Sequence, residues 1–257
     1  MADFILDFIE QLILFGISLL ANTFSSFSGG GAGLIQFPAL IFLGLSFSVA
    51  LATHKIASVA LGVGAALRYL KSSPLERHFV WLILGAGVPG VIIGARLILF
   101  VPDRMAMIAL GFLTGGLGIY SILKPDLGQN YQSKHRDYRG YMIGGAVLFF
   151  LGILNGSLTS GTGLFVTLWL VGWFGMDYQR AIAYTLILVG LFWNGSGAVT
   201  LGLYGAIRWD WLPALLFGSL LGGYGGTHLA IKHGNRWIKR AFELVTLLIS
   251  IKLLLGN

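Results

Sequence analysis

The chain contains the same pattern twice. A Gly- and Ser-rich break at residues 28–33 interrupts hydrophobic sequence and precedes a short apolar run, and a second break at residues 155–163 does the same. Gly161 lies 130 positions after Gly31. Two further correspondences lie at offsets of 131 and 132 positions: Ala50 with Ala181, and Gly94 with Gly226. Two halves with Gly-interrupted hydrophobic segments at matching positions are typical of secondary transporters.

The composition is that of a membrane protein. Apolar residues make up 56% of the chain and charged residues 11%, whereas about 25% of a soluble domain is charged. The mean hydropathy is +0.82, and no polar stretch is long enough to form a separate domain. The sequence therefore predicts an all-α polytopic membrane protein. Because the chain has no cysteine, disulfides and thiolate metal sites are excluded, and we expect no cofactor.

Ten hydrophobic segments follow one another, five in each half. They span residues 4–22, 32–44, 47–70, 78–100, 104–123, 139–155, 162–173, 178–203, 209–231 and 235–255. Most approach the roughly 20 residues that cross the hydrocarbon core. The second and the seventh are too short for a full crossing, at roughly 20 Å each. These two are predicted to be short broken helices, either re-entrant or spanning.

The basic residues predict the orientation. The net charge is +7, and most Lys and Arg residues lie in or near the loops 70–78, 124–138, 174–177 and 232–234. Under the positive-inside rule these loops face the cytoplasm and both termini face outside, in the inner (plasma) membrane. The rule accounts for the positive charge without a nucleic-acid partner.

The predicted organisation is an N-terminal repeat over 1–123, a cytoplasmic linker over 124–138 and a C-terminal repeat over 139–257. Because five segments per half is an odd number, the second half enters the membrane from the opposite side. This predicts an inverted repeat, with the two short helices meeting near the midplane of the lipid bilayer.

The two breaks predict an anion site. Helices beginning near Ala32 and Thr162 would direct their first N–H groups and positive dipole ends into the breaks. The residues expected to bind there are Ser28, Gly29, Gly30, Gly31, Gly33, Asn155, Ser157, Thr159, Ser160, Gly161, Thr162 and Gly163. The alternative is that small residues only permit close helix packing. That alternative fits another set of glycines better: Gly87, Gly90, Gly94, Gly218, Gly222 and Gly226.

Lys55 lies about eight residues into the third segment, where a charge costs roughly 2.5–3.5 kcal/mol on insertion scales. It is expected to attract an anion or to exchange a proton, together with Thr53 and His54; Asn194 is the polar candidate in the second half. The alternative is that Lys55 reaches the outer surface along its aliphatic stem. Glu243 is also deep, and a helical ion pair with Lys239 competes with a proton-coupling role.

The chain resembles the sulfite exporter TauE/SafE family of membrane permeases. The resemblance rests on the break at 28–33, Pro38, the run 50–55 and the Gly-Ala-Arg ending at 94–96, and it covers essentially the whole chain. It implies a permease for a small anion, especially a sulfur-containing one such as sulfite, thiosulfate or an organosulfonate. It also implies that the two breaks, Thr53 and Lys55 form the site. His54 stands where many relatives have a small or amide residue, which leaves the substrate open.

Three functions compete at this stage. The leading hypothesis is a secondary transporter that moves a small anion by alternating access, with protons as a candidate coupling ion. The alternative is a passive anion channel of the same architecture. An integral-membrane enzyme is disfavoured because intramembrane His and carboxylate residues are few and scattered. The anion, the transport direction and the coupling ion stay open, as does a homo-oligomer.

Overall fold

The structure is a computed structural model that describes residues 2–71, 75–98, 108, 112, 115–116, 118–158, 161–204 and 207–255. The described residues form helices and connecting loops, without a strand. Half of the fifth predicted segment, 104–123, lies outside the described residues, and its last residues, 118–123, are helical.

In the first half, four helices have both ends among the described residues. They are α1 (Ala2–Ser28), α2 (Gln36–Phe42, preceded by a 3-10 turn at Ala32–Leu34), α3 (Phe47–Tyr69) and α4 (Arg77–Leu97).

The described part of the second half contains five helices. They are α5 (Tyr138–Leu158), α6 (Thr162–Gly172), α7 (Tyr178–Gly202), α8 (Leu212–His233, preceded by a 3-10 turn at Trp209–Trp211) and α9 (Asn235–Leu255). The middle of α7, Thr185–Trp193, is a π-helix.

Six helical stretches of the described chain are long and apolar enough to cross a membrane: Phe8–Ser28, Ser48–Tyr69, Arg77–Leu97, Tyr138–Leu158, Tyr178–Gly202 and Trp209–His233. Two shorter apolar stretches, Ala32–Phe42 and Thr162–Gly172, coincide with the short segments predicted from the sequence. The chain is therefore a multi-pass, all-helical membrane protein.

Both breaks are shorter than predicted. The predicted starts of the breaks at residues 28 and 155 were wrong, because α1 continues through Ser28 and α5 continues through Asn155 and Ser157 to Leu158. The hydroxyl of Ser28 donates to the carbonyl of Phe24 at 2.8 Å. A serine bonded in this way to the preceding turn remains compatible with a helix, so the chain leaves α1 only at the glycines.

The first helix of each half packs against the fourth segment of the other half, α1 on α8 and α5 on α4. Glycines make these approaches possible. A Cβ atom on Gly94 would clash with the carbonyl oxygen of Ile153, and one on Gly226 would clash with that of Thr23. Two further pairs meet in the same way about one turn away: Gly90 with Phe149, and Gly222 with Leu19. The prediction that these glycines serve close helix packing is confirmed.

The segment between the halves lies against the loop that joins α6 to α7. The amide of Gln132 donates to the carbonyl of Gly175 at 2.8 Å, and the amide of Tyr178 donates to the carbonyl of Gly128 at 2.9 Å. A cavity of about 420 Å³ lies between this segment and the end of α6.

Substituting Gly226 by Ala should destabilise the contact between α1 and α8, because the added methyl group meets backbone atoms of α1 that cannot move aside. Overpacking of this kind typically costs about 1–3 kcal/mol. Gly225→Ala is the matched control, since a Cβ atom there has open space and Ala is the better helix former. We expect the thermal unfolding midpoint in detergent to fall for Gly226→Ala only. Equal midpoints for the two variants would contradict this packing.

Candidate functional site

The two breaks are in direct contact. Gly30 lies so close to the second break that a Cβ atom there would be 2.7 Å from the backbone nitrogen of Leu164. Gly31 and Gly161 precede the two short helical segments with φ angles of 99° and 79°. These values fall in the left-handed region that favours glycine. Glycine therefore stands where the two backbones approach each other and turn.

A cavity of about 40 Å³ lies where the breaks meet. One water molecule needs about 10–15 Å³ of such space, so the cavity has room for a few water molecules or one small oxyanion. Its wall combines backbone of both breaks with polar side chains from α1, α3, α5, α6 and α7. The lining residues are Ser25, Gly30, Gly31, Ala32, Gly33, His54, Ser58, Leu61, Asn155, Thr162, Gly163, Thr185, Leu186, Val189, Gly190 and Asn194.

Half of the residues predicted from the sequence lie on this wall: Gly30, Gly31, Gly33, His54, Asn155, Thr162, Gly163 and Asn194. Thr159 and Ser160 lie outside the described residues. The remaining six are not wall residues: Ser28, Gly29, Thr53, Lys55, Ser157 and Gly161.

Lys55 does not line the cavity itself but contacts Asn155, which does. Its side chain is fully buried, at 0% exposure, so the alternative of a lysine that reaches the outer surface is wrong. Its ammonium donates to the backbone carbonyl of Asn155 at 2.9 Å and to the side-chain oxygen of Asn155 at 3.3 Å. The Asn155 amide in turn donates to the Thr162 hydroxyl at 2.9 Å. Asn155 thus connects the buried cation to the start of α6.

The other polar residues behind the wall hold the backbone in place. The Thr53 hydroxyl accepts from the amide of Arg208 at 3.1 Å, and the Ser157 hydroxyl donates to the carbonyl of Ile153 at 2.9 Å. The carbonyl of Gly29 accepts from the Thr167 hydroxyl at 2.6 Å. The bond from Thr167 attaches the first break to α6, whereas the bond of Ser157 lies within α5 and that of Thr53 joins α3 to the chain before α8.

The two helix starts are unequal. After Gly161 the chain enters α6, a regular helix of 11 residues whose first residues, Thr162 and Gly163, line the cavity. After Gly31 it makes a three-residue 3-10 turn and then a helix of only 7 residues. Since the dipole effect needs aligned peptide units, the expectation of two opposed helix N-termini is corrected to one full N-terminus, that of α6.

His54 and Asn194 present polar groups at the wall. The His54 ring is 2% exposed and is hydrogen bonded at Nδ1 to the side-chain oxygen of Gln36, at 3.1 Å, and at Nε2 to the hydroxyl of Ser58, at 3.2 Å. The side-chain oxygen of Asn194 is buried and has no hydrogen-bond partner among the described residues. An amide with a buried, unpartnered oxygen can turn to offer its NH₂ group to a ligand.

Several wall residues were missed by the sequence reasoning, among them Ser25, Ser58 and Thr185. Ser58 lies four residues after His54, so helical spacing alone places both on one face of α3. Repeat arithmetic also identifies the others: Ser25 corresponds to Asn155 at an offset of 130, and Thr185 to His54 at an offset of 131. The π-helix that brings Thr185 and Gly190 to the wall has no sequence signal. Such segments often occur at functional sites.

Glu243 lies away from the cavity. It forms an ion pair with Lys239 one turn earlier in α9 and accepts from the Ser121 hydroxyl at 3.0 Å. The Lys239 ammonium also donates to the carbonyl of Ser121 at 2.6 Å. The predicted helical ion pair is confirmed, and it ties α9 to the residues just before the segment between the halves.

Comparison with known proteins identifies related chains along the whole length. The family model described as "Sulfite exporter TauE/SafE" matches residues 14–253. A probable membrane transporter protein of Haemophilus influenzae is 27% identical over 241 residues, which cover 94% of this chain and 93% of the relative. The probable membrane transporter protein YfcA of Escherichia coli is 28% identical over 246 residues, or 94% of this chain and 88% of the relative.

A more distant relative covers the same range. The probable membrane transporter protein YunE of Bacillus subtilis is 24% identical over 270 residues, covering 95% of this chain and 97% of the relative. No solved structure matches the chain.

Substituting Gly161 by Ala should strain the start of α6, because the residue has a φ of 79° and its Cβ atom would be 3.1 Å from the Leu34 side chain. A left-handed conformation costs a residue other than glycine roughly 1–2 kcal/mol. Gly172→Ala, at the other end of α6, has open space and is the control. Thermal unfolding in detergent should be lowered by Gly161→Ala and left nearly unchanged by Gly172→Ala. A tolerated Ala at 161 would argue against a fixed turn at this break.

Proposed function

Because the chain belongs to the sulfite exporter TauE/SafE family of membrane permeases, we propose that it is a secondary transporter that carries a small, sulfur-containing anion by alternating access. Sulfite, thiosulfate and organosulfonates are the candidate substrates. The observation that carries the proposal is the meeting of two glycine-rich breaks at one small polar cavity with a buried lysine behind it. No cofactor enters the proposal.

The donors around the cavity suit an oxyanion. The first residues of α6 supply backbone N–H groups at a positive helix end, and Asn155, Thr162 and Asn194 supply amide and hydroxyl groups. The cavity has room for one small anion. Preorganised donors of this kind replace the hydration shell that an anion loses on entering the membrane.

Lys55 supplies the positive charge. Its hydrogen bonds go to neutral oxygens of Asn155. Among the described residues, Lys55 forms no ion pair with a carboxylate. A buried cation without a counter-ion is costly. An anion in the adjacent cavity would offset that cost, so the lysine favours anions over neutral solutes.

The cross-packing of the halves supports alternating access. Gly94 meets Ile153, and Gly226 meets Thr23. Gly226 corresponds to Gly94 at an offset of 132 positions, and Ile153 corresponds to Thr23 at an offset of 130. Contacts repeated in this way are those of a pseudo-twofold. We propose inverted repeats over 1–123 and 139–257, joined by a cytoplasmic linker over 124–138, with the cavity near the midplane and both termini outside the inner membrane.

Uptake into proteoliposomes tests the proposal. Purified protein would be reconstituted and supplied with sulfite, thiosulfate, sulfoacetate, taurine and acetate in turn. We expect saturable uptake of at least one sulfur oxyanion and little uptake of acetate. Large ohmic currents without saturation would indicate the alternative, a passive anion channel. No flux of any anion would overturn the proposal.

Lys55→Met should weaken the apparent affinity for the transported anion by about ten- to thirtyfold. That range follows from the Coulomb attraction between one unit charge on the lysine and an anion several ångströms away, at an effective dielectric constant of about 20. Lys55→Arg should rescue only partly, because Gly197 packs closely on the lysine stem and leaves little room for a guanidinium. Lys232→Met, an exposed lysine at the end of α8, is the control. An affinity unchanged in Lys55→Met would remove the lysine from the site.

A further inference from the structure

His54 is held in a hydrogen-bond network that fixes which of its nitrogens carries a proton. The network starts at the backbone carbonyl of Ser18, which can only accept. The Asn22 amide nitrogen donates to this carbonyl at 2.7 Å, so the orientation of the Asn22 amide is set. The same nitrogen lies 3.3 Å from the Gln36 side-chain oxygen, which must therefore be an acceptor as well.

The orientation of Gln36 then determines the state of the imidazole. The Gln36 side-chain oxygen lies 3.1 Å from His54 Nδ1, and the Gln36 amide donates to the Ser18 hydroxyl at 3.3 Å. Because an amide oxygen cannot donate, Nδ1 carries a hydrogen in every protonation state of the ring. The remaining nitrogen, Nε2, is the one that can gain or lose a proton.

The partner of Nε2 accommodates both states. Ser58 Oγ lies 3.2 Å from it, and a hydroxyl group donates to a neutral nitrogen or accepts from a protonated one after a rotation. His54 can therefore take up a proton without breaking either of its hydrogen bonds. Both residues lie on the cavity wall, so the new charge would appear next to any bound anion.

The surrounding groups make that charge dependent on an anion. Lys55, the next residue in α3, is the nearby cation and opposes a second positive charge. The side chains that α1, α2, α5 and α7 contribute around the ring and the cavity are neutral: Ser25, Gln36, Phe37, Asn155, Thr185 and Asn194. Among the described wall residues His54 alone is titratable. An imidazolium here has no counter-ion until an anion enters.

We propose that the cavity binds a proton on His54 Nε2 together with the anion, so that the protein is a proton–anion co-transporter. This inference rests on the proposed function, because it takes the cavity to be the anion site. The proton and the anion each stabilise the other, and by linkage each raises the other's affinity. The proton cancels one negative charge of the anion. Loading the cavity therefore changes its net charge by less than binding of the anion alone would.

Isothermal titration calorimetry with thiosulfate tests the coupling in the purified full-length protein. Thiosulfate remains fully ionised near neutral pH, so a pH dependence of its binding belongs to the protein. Titrations in buffers of different ionisation heat count the protons taken up. We expect uptake approaching one proton per thiosulfate, and a Kd that rises up to about tenfold per pH unit between about pH 5.5 and about pH 8.5.

His54→Gln should abolish the proton uptake and flatten the pH dependence of the Kd, because Gln can form similar hydrogen bonds without titrating. His233→Gln, an exposed histidine at the end of α8, should behave like the parent. Proton uptake that persists in His54→Gln would overturn the assignment. Binding by the parent without proton uptake would overturn this inference alone. Absence of binding for thiosulfate, sulfite and sulfate would overturn the proposed function with it.

Ser58→Ala provides a second test that keeps the imidazole. Removing the partner of Nε2 leaves the protonated ring one hydrogen bond short. The affinity for thiosulfate at about pH 5.5 should fall about tenfold, whereas the affinity at about pH 8.5 should stay the same. If His54→Gln does not fold, Ser58→Ala alone tests the proposal. A pH profile of thiosulfate affinity equal to that of the parent would then contradict a proton on Nε2.

Discussion

A backbone that leaves its helix inside a membrane must find partners for its polar groups, and the rest of this structure depends on how that requirement is met. Here the two irregular stretches cover each other, with Gly30 lying directly on the backbone at Gly163 and Leu164. Such a close contact between backbones requires glycine in both breaks, here Gly30 and Gly163. Once the two stretches meet, the short helices beyond them are fixed, and the small polar space between them becomes the site.

Most of the helices were predictable because each is marked by a long apolar run. Of the two short segments, the second became the regular helix α6, whereas the first is divided into a 3-10 turn and a helix of 7 residues. The exact ends of the breaks were not predictable. Serine has a lower helix propensity than alanine. Ser28 and Ser157 nevertheless remain helical, and each donates its hydroxyl to a carbonyl of the preceding turn. A sequence does not distinguish a serine that bonds its own helix from one that faces a ligand.

The site was predictable only in part, and for a similar reason. The glycines were found because glycine-rich breaks recur in both halves, and Asn155 was found as the amide side chain at the start of the second predicted break. Ser58 and Thr185 could have been found by helical spacing and by the repeat offset. Lys55 was recognised by its depth, but whether its ammonium lies on the wall or behind Asn155 depends on side-chain packing. The π-helix at Thr185–Trp193 in α7 has no signature in the local sequence.

The pairing of α1 with α8 has a consequence for how the chain is made. Ser18 and Asn22 of α1 bond to Ser219, and the hydroxyls of Ser18 and Ser219 are separated by 201 positions in the sequence. A nascent chain inserts α1 first, so these polar side chains face lipid or a temporary partner until almost the whole protein has been synthesised. Contacts of such range delay the final assembly. The first half on its own is therefore an incomplete molecule, and a truncated chain would present this polar face to the quality-control machinery of the membrane.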